Sequence, residues 1–388
     1  MDRLTVLHAG PPIKAAELVG PMRGAVIGGL VYEGVPREEA TDLLERGRIC
    51  LRPCHDYGFV GPMAGIVTAS MPVWVAEDAT YKHRSYSTLN EGLGPVLRFG
   101  ANGEEVIARL RWMQEVAAPL LDKALRRRGP LELKDFLAEG LGRGDELHNR
   151  NKSSTSSFVR ELAPHIAAVG GRDAEAVFDF LRRNDHFCLN ISIAASKCSA
   201  IAAHDAGTGS VVTVMAANGR EFGIKVSGLG DQWFTAPANR AKGNFLAGYT
   251  SADAACDMGD SYISEVVGLG GFAMAAAPAI AAFVGGKPSQ FASWTDRMYQ
   301  ITLAEHEQFR IPALDYRGTP LGIEVGLVLK SGVLPVLNSG IAHKDAGVGQ
   351  VGAGITHPPA RCFELAEAEL ARKSAGRPGQ PRRASAAQ

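Results

Sequence analysis

Short apolar stretches separated by glycine turns occupy the first hundred residues of the chain. Residues 4–8 and 72–76 have the composition of buried strands. Residues 36–46 have a proline at the start, acids in the first turn and a following glycine, which is the usual punctuation of a helix. Two similar pentapeptides, at 20–24 and 61–65, each precede an apolar run and predict two similar turns.

Helical periodicity begins near residue 104. Apolar residues recur at helical spacing over 104–127, and 173–203 is a second long stretch of the same kind. A polar segment between the two contains Asp145, Glu146, His148, Arg150 and Asn151. On a helix, side chains three or four positions apart share a face, so this segment would form two ion pairs. We interpret it as a solvated helix start, with ligand binding as the alternative.

The clearest local pattern lies in the last third of the chain. Residues 210–216 and 221–227 flank Asn218-Gly219, a preferred pair for a type I′ hairpin turn. The pattern then predicts, in order, a buried alanine-rich helix over 268–285, a helix over 294–308, strands over 322–329 and 333–337, and a final helix from Pro358. Strands and helices alternate without a regular βαβ rhythm, which favours a mixed α/β (α+β) fold.

The length and the shift in pattern predict two mixed α/β lobes with a central helical segment. The predicted parts are an N-terminal α/β lobe at 1–103, a mainly helical segment at 104–206, a C-terminal α/β lobe at 207–371 and a disordered basic tail at 372–388. The tail contains proline, glycine and serine but no large apolar residue, which is why we expect it to be disordered.

Composition narrows the class of protein. The 388 residues are 46% hydrophobic and 21% charged, as in a soluble globular protein. Five of the 41 basic residues and none of the 41 acidic ones lie in 372–388, so the rest has 36 basic residues against 41 acidic ones. A mildly acidic body is a poor match for nucleic acid. We expect no membrane span and a cytoplasmic location, because no leader pattern is present and the six cysteines are irregularly spaced.

Glycine-rich loops supply the first candidate chemistry, because their backbone N–H groups can face an anion. The loops are Gly10-Pro11-Pro12, Gly20–Gly24, Gly61–Gly65, Gly228-Leu229-Gly230 and Gly349–Gly354. Next to the last of them stands His343-Lys344-Asp345, which combines a proton carrier, a cation and an orienting carboxylate. We expect this loop to bind an anion, with an ordinary solvated loop as the alternative.

Other reactive residues have competing interpretations. Cys54-His55 with Cys50 lacks a second ligand pair, so we expect no metal. Cys54 is a possible nucleophile, but a buried inert thiol is commoner. Asp257 and Asp260 are interpreted as caps of the following helix, with a cation or an amide as their alternative partner. The remaining residues singled out are the possible nucleophile Cys256 and Trp233, which we assign to the core or its rim.

Several strings together identify a family resemblance. The chain resembles the YlbE/YahG/AllG-type family over nearly all of residues 8–365. The strings that carry the resemblance include Leu7-His8-Ala9-Gly10-Pro11-Pro12, Pro53-Cys54-His55, Gly61-Pro62-Met63, Asn90-Glu91-Gly92, Arg98-Phe99-Gly100-Ala101, Gly144-Asp145-Glu146, Val226-Ser227-Gly228-Leu229-Gly230, Asp257-Met258-Gly259-Asp260-Ser261 and Gly340-Ile341-Ala342-His343-Lys344. Many matches in one order make the resemblance specific.

The resemblance implies a subunit of a carbamoyltransferase that interconverts oxalurate plus phosphate with oxamate plus carbamoyl phosphate in allantoin breakdown. It also implies partner subunits of the FdrA and YlbF types, and we expect a homo-oligomer. No cofactor is expected. The Ser-x-Arg-Thr motif of the aspartate and ornithine carbamoyltransferases is absent, so neither their fold nor a Rossmann fold is expected. The alternatives are a hydrolase of amide or ureido compounds that works alone, and a non-catalytic subunit that binds an anion.

Residue chemistry, rather than the family, supplies the candidate site. His343 or His55 would accept the proton of the attacking amide, Lys344 would neutralise an anion and Asp345 would orient its neighbours. The candidate substrate-binding residues are His8, Gly10, Arg23, Gly61, Met63, Asn90, Glu91, Arg98, Glu146, His148, Arg150, Asn151, Gly228, Gly230, Asp257, Asp260, Gln350 and Gly352.

Overall fold

The computed structural model describes residues 1–375. The strands are β1 (Thr5–His8), β2 (Cys50–Pro53), β3 (Val73–Glu77), β4 (Arg84–Thr88), β5 (Val212–Asn218), β6 (Glu221–Val226), β7 (Phe234–Pro237), β8 (Lys242–Phe245), β9 (Met258–Gly259), β10 (Thr302–Ile311), β11 (Arg317–Ile323), β12 (Leu337–Ala342) and β13 (Gln350–Thr356). Residues 376–388, most of the predicted basic tail, lie outside the described part.

The helices are α1 (Gly20–Tyr32), α2 (Arg37–Glu45), α3 (Glu104–Trp112), α4 (Ala118–Arg128), α5 (Leu133–Gly142), α6 (Lys152–Val169), α7 (Asp173–Arg182), α8 (Leu189–Asp205), α9 (Ile263–Val266), α10 (Ala281–Val284), α11 (Pro288–Met298), α12 (Val325–Ser331) and α13 (Ala360–Ala375). A π-helical turn, Met113–Ala117, joins α3 to α4. The predicted mixed α/β class is confirmed. Within residues 1–375, no helix is long and apolar enough to cross a membrane.

Five small sheets organise the strands. Their orders are β1-β2, β3-β4, β7-β6-β5-β9, β10-β11 and β12-β13-β8. In the described residues β1 and β2 form the only parallel pair of named strands, so the extended parallel sheet of a Rossmann fold is absent there. The parallel register sets His8 opposite Pro53, which brings the loops after β1 and β2 side by side.

Two clusters of buried apolar side chains hold these elements together. The larger one includes α1, the α3–α4 region and α5 to α7, with Phe99, Phe158 and Phe187 fully buried. The second surrounds the β5–β6 hairpin and includes side chains of α8, α12 and α13. Helix α8 contributes to both clusters, and it therefore lies between the helical part of the chain and the hairpin sheet.

Several sequence predictions match the structure. The strands at the start of the chain and near residue 73, helix α2, the helical stretch from Glu104 and the last helix are confirmed. The hairpin is confirmed too, but its turn is displaced by one residue. Gly219 and Arg220 connect β5 to β6, and only Gly219 has a positive φ, so the type I′ assignment to Asn218-Gly219 is wrong. The Asn218 side chain instead accepts bonds from the Arg220 and Glu221 N–H groups.

Two predicted helices are interrupted. The stretch 173–203 breaks between α7 and α8, where Asn184 accepts a bond from the His186 N–H and donates its amide to the Asn90 carbonyl. Such side-chain bonds compete with the helical ladder. The stretch 268–285 forms 3-10 turns and the one-turn helix α10 instead of a long helix, since Gly268 and Gly270 have positive φ and Pro278 follows.

Tertiary pairing overrides the pattern after residue 298. The predicted helix 294–308 ends with α11 at Met298. From Thr302 the chain forms β10, which pairs with β11. The predicted strand 322–329 changes to α12 after Ile323, because the Glu324 carboxylate caps the helix by accepting a bond from the Leu327 N–H. The next strand begins at Leu337, four residues later than predicted.

The two similar pentapeptides adopt different conformations. Gly20 to Gly24 forms the first turns of α1, whereas the second pentapeptide is an irregular turn with Met63 at φ 58°. The polar segment from Gly144 is not a solvated helix start: it is an irregular, mostly buried loop before α6. Its Asp145 carboxylate accepts bonds from Ser153 and Ser154 N–H and so caps α6 from outside.

Candidate functional site

A buried carboxylate joins two of the glycine loops. Asp260, at the end of β9, accepts a bond from the Gly10 N–H at 2.8 Å and from the Gly61 N–H at 3.1 Å. Its side chain is fully buried, and burial raises the pKa of this carboxyl to about 7. The anion that these N–H groups bind is therefore a side chain of the protein. The capping prediction for Asp260 is wrong, because its carboxylate holds backbone amides.

Gly10 is required by the close packing of its loop. Its φ is +81°, and a Cβ there would overlap the backbone of Ala217 and Asn218. Gly47 has a φ of +62° with no heavy atom within 4 Å of a Cβ. Gly10→Ala is expected to cost about 3 kcal/mol or more of stability, against about 1–2 kcal/mol for Gly47→Ala. Urea unfolding of both variants measures the difference, and equal losses would contradict the packing argument.

Two histidines in this region have incomplete hydrogen bonding: His55 beside the carboxylate, and His8 at the end of β1, two residues before Gly10. His55 Nε2 is 3.5 Å from Asp260 Oδ1, in a geometry that makes no hydrogen bond, and neither ring nitrogen of His55 has a partner. His8 is bonded through Nδ1 to the Ala9 carbonyl, while its Nε2 has no partner. Burial lowers the pKa of His8 to about 4 and that of His55 well below its usual value, so both rings are neutral.

Two lysines complete the group. Lys197 of α8 is 6% exposed, and burial with the charge of Lys225 lowers the pKa of its ammonium to about 8. Lys225 of β6 forms ion pairs with Asp56 at 2.7 Å and Asp231 at 3.2 Å. Lys197 forms no ion pair within 4 Å in residues 1–375. We call His8, His55, Lys197, Lys225 and Asp260 the His55 centre.

The outer side of the His55 centre is polar and reaches the surface. Trp233 donates its indole N–H to Asp56 at 3.2 Å and packs at 5.1 Å from the Lys225 ammonium. The ring centroids of Trp233 and His55 are 6.1 Å apart. Asp231 is largely exposed. Of the two positions expected from the sequence, core or rim, Trp233 occupies the rim. The Lys225 ammonium lies next to its ring.

Sequence reasoning missed Lys197 and Lys225. Both have a local signal: Lys197 is the only charged residue between Leu189 and Ala203 of α8, and Lys225 lies in the buried strand β6 among apolar neighbours. A lone lysine in an apolar stretch is costly to bury without a partner or a ligand. Only the fold places both lysines next to His55.

Among residues 1–375, the side chains around the His55 centre have neither the arrangement of a metal site nor a reactive thiol. Within residues 1–375, no group of three or more His, Cys, Asp or Glu side chains has the arrangement of a metal site. Cys54 is fully buried and its Sγ donates to the Gly65 carbonyl at 3.2 Å. Burial raises the pKa of the Cys54 thiol well above its usual value, so it stays protonated and is a poor nucleophile.

A second buried polar cluster contains the Asp145–Asn151 candidates. Glu146 accepts bonds from the N–H groups of His148, Asn149 and Arg150. His148 Nδ1 pairs with Glu265 at 2.9 Å. Burial raises the pKa of Glu146 to about 7. The remaining contacts are those of Asn338 with Glu146 and Glu265, of Asn151 with the His148 carbonyl, and of Arg150 with Asp145. Nearly every polar atom has a protein partner, which is typical of a structural network.

The contacts of the His343-Lys344-Asp345 loop are with residues outside the His55 centre. His343 Nδ1 accepts a bond from the Asp345 N–H, and the Lys344 ammonium donates to the Ala252 carbonyl. Gly20, at the start of α1, packs against the Lys344 carbonyl. The Asp345 side chain is 72% exposed. The loop therefore packs against the start of α1 and the turn at residues 252–253.

The other candidates occupy several places. Asn90, Glu91 and Arg98 line a small internal cavity with Tyr32 and Asn190, and Glu91 accepts bonds from Arg109 and the Leu97 N–H. The remaining placements are these: Arg23 pairs with Glu45 on the surface, Asp257 accepts from Ser339, Gln350 donates to the Gly352 carbonyl, Met63 contacts Gly259, Gly228 N–H donates to Gly209, and Gly230 has a positive φ beside Asp231.

Comparison with known proteins identifies the family of this chain. The model of the family described as "Oxamate carbamoyltransferase subunit AllG" matches residues 49–261. The Escherichia coli (strain K12) protein of the same description is 46% identical over 378 residues, covering 95% of this chain and 89% of that protein. This chain belongs to the AllG family. The resemblance inferred from the sequence strings is confirmed.

Further relatives agree with this membership of the AllG family. The Escherichia coli (strain K12) protein YahG is 45% identical over 370 residues, covering 94% of this chain and 78% of that protein. A crystal structure of a conserved protein of unknown function from Enterococcus faecalis V583 is 43% identical, with a TM-score of 0.94 over 96% of this chain and 90% of that one. The fold described above is thus also that of an experimentally determined structure.

Proposed function

We propose that this chain is a subunit of an oxamate carbamoyltransferase and that its anionic substrates bind at the His55 centre. Family membership supports the first part of the proposal. The second rests on one observation: Lys197 has no ion pair in residues 1–375, and His55 beside it has no partner on either ring nitrogen. Buried polar groups are nearly always satisfied, so unpaired ones of this kind call for a ligand.

The transfer consists of one bond made and one broken. The amide nitrogen of oxamate forms a bond to the carbamoyl carbon, the bond from that carbon to the phosphate oxygen breaks, and the amide loses a proton. Oxalurate and phosphate result, and the reverse direction uses the same steps. Charge develops on the carbamoyl oxygen and the leaving phosphate, which a nearby cation stabilises.

The residues of the His55 centre suit these steps. Lys197 supplies positive charge that no protein carboxylate neutralises directly. His55 is neutral and has a free nitrogen, so it can accept the amide proton. Asp260 holds the Gly10 and Gly61 loops in place next to the His55 ring. Lys225, paired with two aspartates, fixes the position of Trp233 at the rim.

Reconstitution tests the proposal. The chain is combined with its FdrA-type and YlbF-type partner subunits, and carbamoyl phosphate is measured after addition of oxalurate and phosphate. We expect formation that requires phosphate and that falls in His55→Gln. Release of ammonia without phosphate would indicate a hydrolase instead. Full activity of His55→Gln in the complex would show that His55 takes no part in the chemistry.

The pH dependence of the reaction should report Lys197. Its ammonium is charged below a pKa of about 8 and neutral above it. Because kcat/KM follows the ionisation of the free enzyme, it should decrease as pH rises through about 8. The residual activity of Lys197→Met should lack this limb. A limb at the same pH in the variant would assign it to another group.

A further inference from the structure

A second concave surface, the β8 groove, has the size of a small-molecule site. It lies between β8, the end of β13 and the turn that joins α10 to α11, and its volume is about 800 Å³. Pockets for small ligands generally enclose about 300–1,000 Å³. Its lining includes Arg240, Lys242, Asn244, Gln290, Trp294 and His357, none of which belongs to the His55 centre.

The β8 groove has positively charged side chains and no acidic side chain to neutralise them. No acidic residue lines it. Arg240 and Lys242 are exposed, and neither has an acidic partner within 4 Å in the described residues. Arg297 adds to the positive charge near the groove. Burial, together with the charges of Arg297 and Lys242, lowers the pKa of His357. The Asp257 side chain is buried and does not line the groove.

The walls combine an aromatic surface with free amide groups. Trp294 is half-buried and packs on Phe291, with ring centroids 5.4 Å apart. Asn244 donates its amide nitrogen to the Ala282 carbonyl at 3.5 Å, and Gln290 accepts a bond from the Lys287 N–H. The amide oxygen of Asn244 and the amide nitrogen of Gln290 have no protein partner within residues 1–375. The groove thus combines an aromatic ring and polar edge groups with two cations.

We propose that the β8 groove binds a nucleoside phosphate, with its planar base against Trp294 and its phosphate groups on Arg240 and Lys242. A base needs an aromatic surface and hydrogen-bonding groups at its edge, and phosphate needs unpaired cations. A simple oxyanion would use only the cations and would leave the aromatic wall uncovered. The groove is a site separate from the His55 centre and independent of the reaction proposed there.

Calorimetric titration of the full-length chain with ADP, adenosine and pyrophosphate tests the proposal. We expect saturable 1:1 binding of ADP, and at least tenfold weaker binding of adenosine and of pyrophosphate. Arg240→Ala with Lys242→Ala should weaken ADP binding by about tenfold or more, because hydrogen bonds to charged groups are the stronger class. Trp294→Leu should weaken ADP binding and leave pyrophosphate binding unchanged.

The control is Lys123→Ala with Arg172→Ala, which removes the same charge from an exposed position of α4 and from the exposed residue before α7. ADP binding in this control should equal that of the unchanged chain. Trp294→Phe, which keeps an aromatic ring, should retain most of the affinity for ADP, and a loss as large as that in Trp294→Leu would show that the ring does not bind the base. Absence of ADP binding, equal affinity for ADP and pyrophosphate, or an equal loss in the control would each overturn the proposal.

Discussion

Lys197→Met is expected to lower kcat/KM for carbamoyl transfer by about 100-fold or more while leaving the protein at least as stable as before. Removal of one preorganised group that stabilises developing charge typically costs 10²–10³-fold. Methionine has a similar shape without the charge, and burying an unpaired ammonium is costly. A residue that impairs stability but supports activity is retained for function, so the two measurements together identify its role.

The matched control for this prediction is Lys123→Met. Lys123 lies on an exposed face of α4 and its replacement removes the same charge. Activity of the reconstituted complex and the urea midpoint of the chain should both stay unchanged in this control. If Lys197→Met retains full activity, the substrate does not bind at the His55 centre. If it is less stable than the unchanged chain, Lys197 is a structural residue.

Asp260→Ala is expected to destabilise the protein by about 3–5 kcal/mol. The substitution leaves the buried N–H groups of Gly10 and Gly61 without an acceptor, and each such loss costs about 1–3 kcal/mol. Asp260→Asn keeps one acceptor oxygen and should lose about half as much. The midpoint of urea unfolding measures both variants.

Asp78→Ala is the control for the number of hydrogen bonds lost. The Asp78 carboxylate also accepts bonds from two backbone N–H groups, those of Thr80 and Tyr81, but these lie in an exposed turn. Water can replace the carboxylate there, so a loss below about 1 kcal/mol is expected. Similar losses for Asp260→Ala and Asp78→Ala would show that the Asp260 contacts do not hold the glycine loops together.

The prediction of local structure succeeded where a segment has strong punctuation. Helix α2 has its proline and acids, and the β5–β6 hairpin has its asparagine and glycine, so both follow from neighbouring residues. It was wrong where distant residues decide the conformation. Residues 302–311 form a strand because β11 pairs with them, and the break before α8 depends on a bond from Asn184 to Asn90.

By itself the sequence determined the mixed α/β class, the family and a set of polar residues in glycine-rich surroundings. It could single out Asp260, Gly10, Gly61 and His55, since each carries its chemistry in its own side chain or local motif. The assembly of the His55 centre was decided by the tertiary structure. Lys197 and Lys225 come from a helix and a strand far along the chain. Both matter because they are buried beside His55, and Lys197 also because it lacks an ion pair among residues 1–375. Those properties belong to the packed molecule, because only folding removes the water that would otherwise satisfy them.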